Sequence, residues 1–104
     1  MPRVKHVVLV KLKNDTPPAT VRQLFADLAA LRNKIPGILD ISAGGYASPE
    51  GLGKGFTHGF VMTFADPSSR DAYLPHPDHE KVKNDLIALL DGGLDAVVVV
   101  DWEE

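Results

Sequence analysis

Apolar residues alternate with others from Val4 to Leu12. Val4, His6, Val8, Val10 and Leu12 fall on one face and Lys5, Val7, Leu9 and Lys11 on the other, a period of two that predicts a strand. Asn14-Asp-Thr-Pro-Pro18 ends the alternation and carries the marks of a helix start, with Thr16 as N-cap and Pro17 in the first helical position, where its missing N–H costs little. Val21, Leu24, Phe25, Leu28, Leu31 and Ile35 recur at helical spacing until Pro36-Gly37 stops the run. Ile38 to Tyr46 reads as a weaker second strand, and the glycine-rich end of the next segment, Gly51-Leu-Gly-Lys-Gly55, reads as an exposed loop. Its spacing fits neither a P-loop nor a dinucleotide fingerprint, so a plain connection between strands is expected rather than a phosphate cradle.

Phe56 to Phe64 predicts a third strand, with Phe56, His58, Phe60, Met62 and Phe64 on one face and Thr57, Gly59, Val61 and Thr63 on the other. Asp66-Pro-Ser-Ser69 opens a short helical piece that Pro75 ends, because proline disfavours helical geometry in the residue before it. A helix restarts at Pro77 or Asp78, Asp78 being read as its cap. His79, Val82, Leu86, Leu89 and Leu90 share its core-facing side, and Glu80, Lys81, Lys83 and Asn84 the other. Asp91-Gly-Gly93 ends that helix and Leu94 to Trp102 predicts a last, valine-rich strand.

The order βαββαβ is that of a ferredoxin-like α+β fold, one domain over residues 1–104, with a four-stranded antiparallel sheet in the order 4-1-3-2. Two helices cover one face of such a sheet. The opposite face, read as carrying Val7, Leu9, Val61, Val97 and Val99, is too apolar to stay in water. A second copy joined by a two-fold contact is the simplest cover and would close an α/β barrel between the two sheets, so a homodimer through the exposed sheet face is expected.

Composition narrows the function classes. With 104 residues, 44% of them apolar, the chain holds one modest core, and a net charge of -3 with mixed signs offers no basic stripe for nucleic acid. Cysteine is absent, which removes thiol nucleophiles and thiolate metal sites and suits a reducing compartment; a cytoplasmic protein is expected. No apolar run reaches the ~18 residues of a membrane-spanning helix, so no membrane partner is expected.

The candidate chemistry lies in Tyr73-Leu-Pro-His-Pro-Asp-His79, which places a phenol and two imidazoles around two prolines. An imidazole can take a proton near neutral pH and a phenol can hold the oxyanion that results. Against this stands a packed His79 bonded to a backbone carbonyl and a Tyr73 that is simply a core or rim aromatic. His76, between the prolines, reads as a solvent-facing turn residue. His6 and His58 sit on the apolar side of neighbouring strands and each needs a polar partner or a cavity. Pairing the strand centres near Val8 and Phe60 staggers them along the sheet, so a tight histidine metal site is not expected.

Val4 to Lys13, Thr57 to Phe64 and Tyr73 to His79 together resemble the signature segments of the stress-responsive dimeric α/β-barrel domain family across nearly the whole chain. The resemblance implies a small homodimer without cofactor. In a plant polyketide cyclase of that family, His79 would match the general base, Tyr73 the tyrosine at the thioester carbonyl, and His6 and His58 further pocket histidines. Phe25 would match a pocket aromatic. Leu28 stands where the cyclase has an aromatic, and Glu80-Lys-Val-Lys83 where it has small and apolar residues. The expected site is therefore His79 and Tyr73 for catalysis, with His6, His58, Phe25, Leu28, Phe60 and Val82 binding a small molecule. The reaction would be proton abstraction beside a carbonyl, as in cyclisation or isomerisation. A non-catalytic ligand-binding dimer and a cofactor-free monooxygenase are the alternatives.

Overall fold

A computed structural model describes residues 2–104. Strand β1 (Val4–Val10) is followed by helix α1 (Pro18–Ala30), strands β2 (Ile38–Gly45) and β3 (His58–Phe64), helices α2 (Pro67–Tyr73) and α3 (Pro77–Ala88), and strand β4 (Val97–Glu103). The sheet is antiparallel throughout in the order β2-β3-β1-β4, the ferredoxin-like arrangement that the periodicity predicts. Val8 lies opposite Phe60, so His6 faces Met62 and His58 faces Val10, four residues apart along β1.

The core forms where the inward faces of β1 and β3 meet the helices. Val4, Val8, Val10, Phe60, Met62 and Phe64 pack under Leu24, Leu28 and Leu31 from the first helical segment and Val82 from α3. Removing this apolar surface from water at ~25 cal/mol per Å² is the main favourable term for a domain of this size. Gly37, at a φ of 91°, makes the turn from helix to β2, and Ser69 occupies the space where a Cβ would project.

Several boundaries differ from the sequence expectation. Helix α1 starts one residue late, with extended Pro17 as N-cap, because the Thr16 hydroxyl donates to the Lys13 carbonyl in the preceding turn. Strand β1 stops at Val10, and Leu12 makes only an isolated bridge to Leu90. Strand β2 ends at Gly45 and β3 starts at His58, each trimmed beside the loop. Residues Leu94 to Ala96, expected as the beginning of the last strand, lie instead in a 3-10 turn (Gly93–Ala96), since Gly92 (φ 113°) and Gly93 (φ 63°) turn the chain sharply. Helix α3 is capped by His76 and not by Asp78: His76 Nδ1 accepts from the Asp78 N–H at 3.1 Å.

The side assigned to β4 is also corrected. Val97 pairs with Val10 and Val99 with Val8, and directly opposed residues share a face, so both valines point toward the helices. The outer face instead carries Val98, Val100 and Trp102 beside Val7, Leu9 and Val61. Trp102 and Val100 are each 50% exposed there and Leu9 40%, which leaves a continuous apolar sheet face in water.

Candidate functional site

Between the inner sheet face and helices α1 and α3 lies a cavity of about 350 Å³, at the small end of ligand pockets. Its walls are largely apolar, and His6, Tyr73, His79 and Lys83 supply the polar atoms. Of the residues expected at the site, His6, Phe25, Leu28, Phe60, Tyr73, His79 and Val82 line it. His58 does not. Its Nδ1 meets the Thr57 hydroxyl at 2.8 Å, its ring packs edge-on against Phe25 with centroids 5.8 Å apart, and it borders a separate depression near the β2–β3 loop. Register alone does not separate it, since Val10, directly opposite His58, lines the cavity; the His58 ring is held instead by Thr57 and Phe25.

Tyr73 ends α2 and His79 sits in the first turn of α3, and the short connection between them folds the two rings together. Their centroids are 4.0 Å apart with planes inclined 31°. His79 Nδ1 lies 2.9 Å from the Leu74 carbonyl oxygen. A carbonyl only accepts, so Nδ1 carries the proton and Nε2 keeps a free lone pair. Burial pushes the His79 pKa down, against smaller opposing effects from the Leu74 hydrogen bond and Glu80. The ring is therefore neutral at physiological pH. Burial pushes the Tyr73 phenol well above its ordinary range, which keeps it protonated as a donor.

His6, only 6% exposed, is held from the other side: its Nδ1 lies 2.7 Å from Asp101 Oδ1, while Arg70 donates to Asp101 Oδ2 at 2.8 Å. Burial works to raise the Asp101 carboxyl, but the hydrogen bonds from Arg70 and His6 outweigh it and hold the group below the usual carboxylate range. An ionised Asp101 fixes the His6 proton on Nδ1 and leaves Nε2 as the second ring nitrogen. Among the described residues, no side-chain nitrogen or oxygen is buried without a partner. Neither His6 Nε2 nor the Tyr73 hydroxyl bonds a protein group, so both border open space, which on this side of the sheet is the cavity.

Sequence reasoning missed Asp101, Arg70 and Lys83. The antiparallel register puts Asp101 opposite His6, a signal that the side chosen for β4 concealed. Lys83, placed on the outer side of its helix, follows His79 by four residues and so shares its face. Nothing in the local pattern points to Arg70, which reaches Asp101 only through the tertiary fold. Among the described residues, no group of three or more histidines and carboxylates is arranged to hold a metal ion, and no helix is long and apolar enough to cross a membrane.

A four-stranded antiparallel sheet with helices on one face and a cavity beneath them defines a ferredoxin-like protein. A crystal structure of a dimeric ferredoxin-like protein of unknown function from Jannaschia sp. matches with a TM-score of 0.88, covering 98% of this chain and 99% of that chain at 27% identity. Residues 4–104 match the stress responsive A/B barrel domain, and the chain belongs to that family. A stress-response A/B barrel domain-containing protein of Arabidopsis thaliana is 33% identical over 99 residues, 94% of this chain and 83% of that protein. Olivetolic acid cyclase of Cannabis sativa is 29% identical over 76 residues, 73% of this chain and 75% of the cyclase.

Proposed function

We propose that the cavity binds a small carbonyl compound, and that His79 removes a proton beside the carbonyl while Tyr73 donates a hydrogen bond to the oxyanion that forms. The observation that carries this reading is the fixed His79 tautomer: Nδ1 is committed to Leu74, and a neutral ring offers its Nε2 lone pair beside a protonated phenol. His6, braced by Asp101, would orient the substrate or relay the proton. Likeness to a cyclase supports carbon–carbon chemistry at an enolate, as in cyclisation or isomerisation, and the mechanism requires no cofactor. The cysteine-free composition suits work in the cytoplasm.

We also infer that a second copy covers the outer sheet face of Val7, Leu9, Val61, Val98, Val100 and Trp102, giving a homodimer. Dimeric assembly of the Jannaschia relative supports this.

The test is exchange of the α-proton of a β-keto thioester in deuterated water, followed by NMR. Protein-dependent exchange that disappears in His79→Ala is expected. A second reading, a non-catalytic binding protein, is favoured by the same Leu74 hydrogen bond, which alone suffices to satisfy a packed histidine. Ligand binding without exchange on any such substrate would leave that reading in place.

A further inference from the structure

Lys83 is the one lysine, arginine or carboxylate residue among the described residues that line the cavity. It follows His79 by four residues on α3, so the two side chains emerge one turn apart on the same face. Its ammonium pairs at 3.2 Å with Glu80, and both side chains are roughly two-fifths exposed, Lys83 at 43% and Glu80 at 41%. An exposed pair at this spacing contributes little, so the ammonium can turn to another anion at small cost. Leu74, Ile87 and Leu94 also line the cavity and are 43%, 38% and 72% exposed, which marks an apolar mouth near that ammonium. Asp101, the carboxylate opposite His6 on the inner sheet face, is already held by His6 and Arg70.

We propose that Lys83 selects the ligand: the cavity takes a small amphiphilic anion, an apolar body with one carboxylate, whose carboxylate meets Lys83 at the mouth while the apolar part lies under Phe25, Leu28 and Phe60. This rests on the reading of the cavity as a small-molecule site and adds the class of ligand. One cation at an apolar mouth matches one negative charge. A neutral molecule of the same shape gains nothing from it.

The experiment is isothermal titration of the full chain with octanoate and with the neutral octanamide, using wild type, Lys83→Met and Lys83→Arg, and NMR shift mapping to locate each ligand. Wild type is expected to prefer octanoate by about fivefold, the scale of an ion pair at a half-exposed site. Lys83→Met, which keeps the apolar stem, is expected to erase the preference, Lys83→Arg to retain it, and added salt to shrink it. Glu80→Gln, which removes the competing carboxylate, should strengthen it. Equal binding of the two probes by wild type, or a preference that survives in Lys83→Met, would overturn the role of Lys83 and leave the cavity reading intact. If neither probe binds or moves the resonances of cavity residues, both readings fall together.

Discussion

The His79 ring lies over the Tyr73 ring at a centroid separation of 4.0 Å, six residues along the chain and on a different helix. The contact follows from how the two helices join. Helix α2 ends at Tyr73, the His76 N–H bonds back to the Tyr73 carbonyl, and the His76 side chain then caps α3, so one residue serves both the turn and the new helix. His79 emerges in the first turn of α3 and donates to the Leu74 carbonyl, which sets its ring against Tyr73.

From this contact comes the first prediction. If the two rings work as base and oxyanion donor, His79→Ala should lower turnover by about 100-fold or more and Tyr73→Phe by about 100-fold, with ligand affinity changed much less. Tyr73→Phe keeps the stacked ring and should fold as wild type. His79→Ala loses a ring and a hydrogen bond, at a cost of about 1–3 kcal/mol in stability. Melting temperature and turnover measured on the same variants separate the roles. A His79→Ala protein that is destabilised but exchanges protons at the wild-type rate would make the histidine a packing residue.

The pH dependence has a definite sign. Burial lowers the His79 pKa from 6.5 in the folded state, so below that value the unfolded chain binds more protons than the folded one. Stability should therefore fall as pH drops through about 6.5 and continue falling until the folded-state value is passed. His58 shifts in the same direction, also by burial, and adds to the slope. Urea titrations from pH 7 to pH 5 should show it, and a His58→Gln, His79→Gln double variant should flatten it. For catalysis by neutral His79, the acid limb of kcat/KM should have its midpoint below 6.5, and a limb lying above that value would contradict the base assignment.

A carboxylate supplies the next test. Asp101 is held below its ordinary pKa, so the stability it contributes is present above about pH 4 and is lost as pH falls through the lower folded-state value. Asp101→Asn should remove this acid-range slope and cost about 1–3 kcal/mol at neutral pH, since Arg70 and His6 both lose an ionised partner. Arg70→Met should cost less, because Arg70 is only partly buried and Asp101 keeps its bond to His6. Chemical denaturation of the two variants at pH 7 gives the order, and an equal or larger loss in Arg70→Met would reverse it.

How much of this was legible in the chain depends on whether a local period or a long-range contact decides the position. Alternation from Val4 to Val10 and from His58 to Phe64, with helical spacing from Val21 to Leu31, suffices for the order of elements, the sheet topology and the pairing of Val8 with Phe60. The same spacing places His79 and Val82 toward the core. The valine run of β4 has no polar residue until Asp101, so its period leaves the side undecided, and the 3-10 turn after Gly92 and Gly93 shifted where the strand begins. That displacement put Val97 and Val99 on the wrong face and hid Asp101 behind them. His58 shares a face with His6, and its partner Val10 lines the cavity, but the His58 ring is held by Thr57 and Phe25, and the Phe25 contact is one that no local period reveals.

The last prediction concerns the outer face. Val61 lies at the centre of β3 opposite Val7, on the side that the helices leave uncovered. If a second copy seals that side, Val61→Lys buries a charge twice over in a two-fold contact and should weaken the dimer by about 3 kcal/mol or more, roughly a hundredfold or more in Kd. The control is Ala26→Lys on the exposed side of α1, which adds the same charge away from the sheet and should sediment as wild type. Because monomers would expose Val98, Val100 and Trp102, the Val61→Lys protein should also melt at a temperature that rises with protein concentration only weakly, whereas wild type should show the steeper dependence of a dimer. Sedimentation equilibrium at micromolar concentration decides the matter: a wild-type monomer would remove the second copy from the outer face.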